Sequence, residues 1–219
     1  GVIRNVSELT AITNEVYMDN VKQDEVTVNL EDIELGQNGT ITIKGMNTTT
    51  ETVSVPLDVV FVLDTSGSMV QYNSNKAQNM VNAVNSTIKT IMSKNKDSRI
   101  GVVGFSDDAS TIINLGNYST TGNYLTLTDG RNGKKITPNV AGSSRNVTGG
   151  TNTQSGIKAG AKMLMDVTDT KYTVTINGKE ESITRTPLLI IVTDGEPTYY
   201  YSNESATGDR HGSGSSSNE

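Results

Sequence analysis

The chain has 219 residues, a formal net charge of −6, one histidine and no cysteine. That composition excludes disulfides, thiolate metal sites and multi-histidine centres, and a pI near 4.9 disfavours non-specific binding to nucleic acid or anionic membranes, which needs basic patches. No stretch approaches the roughly 18 consecutive apolar residues of a membrane span, and because Gly1 rather than Met opens the chain it reads as an excised piece, in which missing targeting signals carry no information.

Residues 1–54 read as a β-rich segment. Val26-Thr27-Val28-Asn29-Leu30 and Thr40-Ile41-Thr42-Ile43-Lys44 alternate apolar and polar residues, with the turn residues Gly36-Gln37-Asn38-Gly39 between them, and Thr52-Val53-Ser54-Val55 alternates again before Pro56. So few strands cannot bury a core of their own. Either they pack on the domain that begins near Pro56 or they are half of a split β-sandwich, and the second reading is favoured.

From Pro56 onward, strands alternate with helices. Val59-Val60-Phe61-Val62-Leu63 is an unbroken apolar run, the mark of a strand buried on both faces of a parallel sheet. Ala77, Met80, Val81, Val84, Ile88 and Ile91 recur at helical spacing, predicting an amphipathic helix from about Ser74 to Met92. Arg99 to Phe105 is a second buried strand, and Thr111 to Leu115 a short edge strand. The polar stretch from Gly116 to Gly150 is a long insertion whose few apolar residues allow one short helix or a hairpin. Asn152 or Thr153 then caps a second helix with Ile157, Ala161, Leu164 and Met165 on one face. Residues 170–186 form a second polar insertion, with Asn177-Gly178 as a hairpin turn. Leu188 to Val192 is another fully apolar strand, and the tail from Tyr199 reads as loop or disorder. The fold class is therefore α/β, a doubly wound and mostly parallel sheet over residues 55–219. Four sheet strands are visible where a complete sheet of this kind has about six, so this domain is expected to be incomplete at its C-terminal side.

Three loops carry the chemistry. Asp64-Thr65-Ser66-Gly67-Ser68 follows the first buried strand, Gly149-Gly150-Thr151 precedes the second helix, and Asp194-Gly195 follows the last strand. In an open α/β sheet these ends meet at the reversal of strand order, where ligands bind. Asp64 and Asp194 side by side would repel unless a cation lay between them. Carboxylates with neutral hydroxyls suit a hard divalent ion; Mg²⁺ comes first, with Mn²⁺ and Ca²⁺ open.

The Asp64-x-Ser66-x-Ser68 turn, the Gly-Gly-Thr151 helix start and the Val-Thr-Asp194-Gly strand end together resemble the metal-ion-dependent adhesion site of von Willebrand factor type A domains. The match runs from about Pro56 to Pro197. The resemblance implies that Ser66, Ser68 and Thr151 are hydroxyl ligands of one divalent cation, and that Asp64 and Asp194 act directly or through water. One position stays open for a carboxylate of a partner, without catalysis. The β-rich start and the polar insertions also resemble tip adhesins of Gram-positive pili, in which a type A domain is inserted into a β-sandwich. That implies an extracellular cell-surface or pilus module binding a host or matrix protein, alongside other pilus or cell-wall subunits. Tyr199 and Tyr200, just past Asp194, are candidate ligand contacts because aromatics are favoured at contact surfaces. Asp107-Asp108 reads as a solvated turn and His211 as a bystander.

Two other functions compete. A metal-binding assembly module without adhesive role would use the same residues. A Mg²⁺-dependent phosphoester hydrolase would also place an Asp at the end of the first strand, but such enzymes need a second carboxylate two residues on, where this chain has Ser66. No Gly-x-x-x-x-Gly-Lys-[Ser/Thr] loop follows that strand.

Overall fold

A computed structural model of the protein describes residues 54–214, apart from 119–120, 132, 177–178, 204–205 and 207, together with 16–18, 21–23 and 42–43. The chain divides into two compact units, one of residues 3–53 and one of residues 54–219 with 1–2. In the first, β1 (Val16–Met18) pairs antiparallel with β2 (Val21–Gln23) and with β3 (Thr42–Ile43). β3 falls within the run predicted at 40–44. The run at 26–30, the turn at 36–39 and the first half of the run at 52–55 lie outside the described residues; Ser54 and Val55 are not in a strand.

The second unit is built on a four-stranded sheet of order β12-β4-β5-β6, with β4 at Leu57–Asp64, β5 at Arg99–Phe105, β6 at Ala109–Gly116 and β12 at Thr186–Val192. β12, β4 and β5 run parallel; β6 returns antiparallel along the edge. The unbroken apolar run of β4 has its cause here, because both of its faces are covered. Val59, Phe61 and Leu63 pack with Met80, Val84 and Ile88 of helix α1 (Lys76–Lys94), whereas Val60 and Val62 join Val103 and Phe105 on the face that takes helix α2 (Thr153–Met165).

The helix α2 face differs from the expected one. Ser155, Gly156 and Gly160 are its buried residues, while Ile157 and Met165 are exposed. A side chain at Gly156 would press on Phe105 at 2.6 Å, and one at Gly160 on Val62 at 2.5 Å and Leu189 at 2.7 Å. Close approach of helix to sheet, rather than apolar area, selects that face. Asn152 is the N-cap, accepting from the Ser155 amide at 3.1 Å.

The insertion from 116 to 150 contains three antiparallel strands, β7 (Leu125–Gly130), β8 (Gly133–Pro138) and β9 (Arg145–Asn146). Of the short helix or hairpin that its apolar residues allowed, the hairpin is present and a third strand extends it. Tyr124, Leu125, Ile136 and Val147 supply its buried side and join the α1 core. Asn85 of α1 clamps the insertion through two bonds to the Leu125 backbone, at 2.9 and 3.0 Å.

The second insertion is the predicted ribbon, β10 (Lys171–Ile176) against β11 (Lys179–Thr184), with Ile176 opposite Lys179. Its Asn-Gly turn lies outside the described residues. β12 is less buried than its composition implied, with Leu188 40% and Ile191 41% exposed, because among the described residues no strand pairs with its outer edge. The tail also differs from the loop expected of it: β13 (Tyr200–Tyr201) pairs antiparallel with β14 (Arg210–His211).

Candidate metal centre

β4 and β12 are adjacent and parallel, with Leu63 opposite Val192, so Asp64 and the Thr193-Asp194 pair leave the sheet side by side. Asp64 is fully buried. Its two oxygens are committed, one accepting the Ser66 amide at 2.8 Å and the other the Thr193 hydroxyl at 2.7 Å. Past Asp64 the chain turns through Ser66 into a single helical turn at Gly67–Met69. That turn brings the Ser66 and Ser68 hydroxyls to 3.0 Å from one another. Ser68 in turn donates to Asp194 Oδ1 at 3.0 Å, and Lys76 Nζ lies 2.6 Å from Asp194 Oδ2.

The loop that carries Thr151 is tied to the Asp64 loop by its backbone. The Gly67 amide donates to the Gly149 carbonyl at 2.9 Å, and the Thr148 amide to the Thr65 carbonyl at 2.8 Å. Gly149 has φ +91°, and a side chain there would meet the Asp107 carboxylate at 2.7 Å, so this bend belongs to glycine. Thr151 is buried. Its amide donates to Thr198 Oγ1 at 2.8 Å, and its carbonyl accepts from the Thr198 and Tyr199 amides at 2.8 and 3.1 Å. Ser66, Ser68, Thr151 and Asp194 line one open cavity of about 420 Å³, together with Gln71 and Lys76. Asp64 does not line it and is linked to it through the Ser66 amide. Among the described residues, no group of three or more His, Cys, Asp or Glu side chains is arranged to hold a metal ion, so any cation here depends on hydroxyls.

Several residues that sequence reasoning missed support this cluster. Asp107, expected to be a solvated turn, accepts the Gly150 amide at 2.6 Å and so holds the Thr151 loop. Asp108 accepts from the Tyr201 hydroxyl. Arg145 of β9 reaches under the first loop, donating to Thr65 Oγ1 at 2.8 Å, Ser110 Oγ at 2.6 Å, Ser106 Oγ at 2.9 Å and the Asp108 carbonyl. Burial pushes its guanidinium below the ordinary arginine value, and Asp108 and Asp107 oppose that shift. Nothing in the polar insertion marked Arg145 in advance. Thr193 enters the motif only as part of the strand end, yet it fixes Asp64. Of the two candidate ligand tyrosines, Tyr199 lies under Arg210, whose guanidinium carbon is 4.3 Å from its ring centre. Tyr200 is about half exposed and stacks on His211 at 5.4 Å, so His211 has a packing role in place of the bystander role expected.

A model of the von Willebrand factor type A domain matches residues 59–196. The chain belongs to that family. No curated protein matches it. Similar solved structures include the pilus adhesin SpaC from Lactobacillus rhamnosus GG, 20% identical over 67% of this chain and 16% of that one, with a TM-score of 0.44. The von Willebrand factor domain of the type V pili tip protein Mfa5 from Porphyromonas gingivalis is 20% identical over 68% of this chain and 41% of that one, with a TM-score of 0.45. The pilus adhesin RrgA from Streptococcus pneumoniae is 18% identical over 67% of this chain and 21% of that one, with a TM-score of 0.40. The chain thus spans well under half the length of these relatives, and its assignment rests on the family model.

Proposed function

We propose that this chain is a non-enzymatic adhesion module of a cell surface or pilus that binds an acidic group of a host or matrix protein through one divalent cation. Ser66, Ser68 and Thr151 would supply neutral oxygens to the ion, and Asp194 and Asp64 the charge, directly or through water. The observation that carries the reading is the spacing of the oxygens. An octahedral Mg²⁺ with ligands at roughly 2.0–2.1 Å sets neighbouring ligand oxygens roughly 2.9 Å apart. The Ser66–Ser68 and Ser68–Asp194 oxygen pairs are both at 3.0 Å, a spacing that such an ion accommodates, and Thr151 lines the same cavity.

A mostly neutral inner set leaves a bound ion with uncancelled positive charge, which is what an incoming carboxylate requires. The open mouth of the cavity leaves room for that carboxylate. Ser66, the residue two positions past Asp64, cannot act as a carboxylate acid or base, which argues against phosphoryl chemistry. By name the similar structures are pilus adhesins and a pilus tip protein; for this chain, adhesion, a Gram-positive surface location and pilus partners are our proposal.

The test is retention of the protein on surfaces coated with extracellular-matrix protein, in Mg²⁺ or Mn²⁺ against excess EDTA. Binding is expected to require the cation, and Ser66→Ala and Asp194→Ala are each expected to bring it to background with the circular dichroism spectrum kept. Undiminished retention in EDTA, or in both variants, overturns the proposal.

A further inference from the structure

Lys76 belongs to this cluster, although nothing in the motif calls for it. Its ammonium lies 2.6 Å from Asp194 Oδ2, while the other oxygen of Asp194 takes the Ser68 hydroxyl. The Asp194 side chain is 12% exposed and that of Lys76 52%, so the pair sits at the cavity mouth with the carboxylate on the inner side. Its position in the fold is a second, independent sign. Lys76 is the first residue of α1, whose first turn has no acidic residue and whose cap Asn75 makes no side-chain cap bond. A cation there opposes the helix dipole. Residues that break a local rule of this kind tend to serve a site rather than the element that carries them.

We propose that Lys76 is an internal counter-ion that competes with the divalent cation for Asp194 and so sets the affinity of the site. The proposal rests on the cation reading of this site and adds its regulation. Asp194 and Glu196 line the cavity and Asp64 is tied to it through the Ser66 amide, so three carboxylates stand against the Lys76 ammonium. A divalent ion brings two charges to the site and can outweigh the loss of the Lys76 pair. A monovalent ion brings no more charge than the ammonium it displaces, so Lys76 also selects against Na⁺ and K⁺. When the divalent ion takes Asp194, the half-exposed Lys76 side chain swings its ammonium into solvent.

Two measurements on the full chain test this. In calorimetric titration with Mn²⁺, Lys76→Gln is expected to bind the ion at least about fivefold more tightly than the unaltered protein, the lower end of ordinary coupling between two sites, whereas Lys76→Arg stays close to it. In the unaltered protein, acylation of Lys76 by an amine-reactive ester, read by mass spectrometry, is expected to rise several-fold when Mn²⁺ is saturating. Mn²⁺ binding that is unchanged by Lys76→Gln, with Lys76 labelling indifferent to Mn²⁺, overturns the counter-ion proposal and leaves the cation site standing. Failure of the folded, unaltered protein to bind Mn²⁺ overturns the cation reading itself, and this proposal with it. Because the labelling arm needs no substitution, a variant that fails to fold does not remove the test.

Discussion

Asp107 shows how a single side chain can matter to a site without lining it. Its carboxylate holds the Gly150 amide at 2.6 Å, and Gly149 must bend through φ +91° to pass it. Thr151 therefore owes its position to a residue on another loop, the one that follows β5. Groups that orient ligands from behind typically change metal affinity by about 10–100-fold when removed. Asp107→Ala is accordingly expected to weaken Mn²⁺ binding by at least about tenfold in calorimetric titration, with little change in melting temperature. Unchanged affinity would show that Thr151 is fixed by Thr198 and Tyr199 alone. Arg145 has a comparable place behind Thr65, where hydroxyls and a carbonyl accept its hydrogen bonds, while Asp108 and Asp107 act on it through charge. Neither residue was legible in the sequence. A paired Asp in a turn and an Arg in a polar insertion carry no periodicity, and their meaning comes from loops about forty residues away in the chain.

At the scale of elements, the packing of α2 is the feature that periodicity misjudged. Helical spacing placed Ile157 and Met165 inward with Ala161 and Leu164, but the helix lies on the sheet through Gly156 and Gly160. Small residues on that face bring the backbone close to Val62 and Phe105, and the helix start is thereby drawn toward the end of β4. Gly160→Val would force the two apart. Overpacking of this kind costs about 1–3 kcal/mol, and a fall in the urea midpoint by an amount in that range is expected. Because α2 begins two residues after Thr151, weaker Mn²⁺ binding should accompany it. A variant with unaltered stability would mean that α2 does not depend on the close approach. Helix α1 is the contrasting case: Ala77, Met80, Val81, Val84 and Ile88 are buried as the spacing placed them and Ile91 is partly buried, while Asn85 is a buried position the spacing did not name. There a wide apolar stripe meets a wide apolar sheet face, and area alone decides the orientation.

Across the whole molecule, the end of the sheet opposite the site is held by charge. Asp58, at the start of β4, accepts from Arg99 of β5 at 2.7 and 2.6 Å and from Arg185 at 2.9 Å, and Arg99 also reaches the Asp169 carbonyl at 2.8 Å. Burial acts to raise the Asp58 pKa; hydrogen bonds and charge from Arg99 and Arg185 outweigh it and hold the group below the usual carboxylate value. A carboxylate depressed in the folded state contributes stability that is present above its unfolded value, near pH 4, and is lost as pH falls through the folded value. Asp58→Asn is therefore expected to lose about 3–5 kcal/mol at neutral pH, the usual consequence of removing one partner of a buried pair. Its stability should also fall less steeply below about pH 4 than that of the unaltered protein. An identical acid limb in urea titrations would contradict this. By itself the sequence determined the parallel α/β order, the helix α1 face and the five side chains placed at strand ends and a helix start. These depend on patterns local in the chain: an apolar run needs both faces covered, and such a run ends where the sheet ends. Tertiary structure decided the rest, namely the close face of α2, the three-stranded insertion, the half-exposed β12, and the Asp107, Arg145, Thr193 and Lys76 contacts. The side-chain contacts among these join residues distant in sequence through a few hydrogen bonds, and such a partner imposes no period on the residues around it.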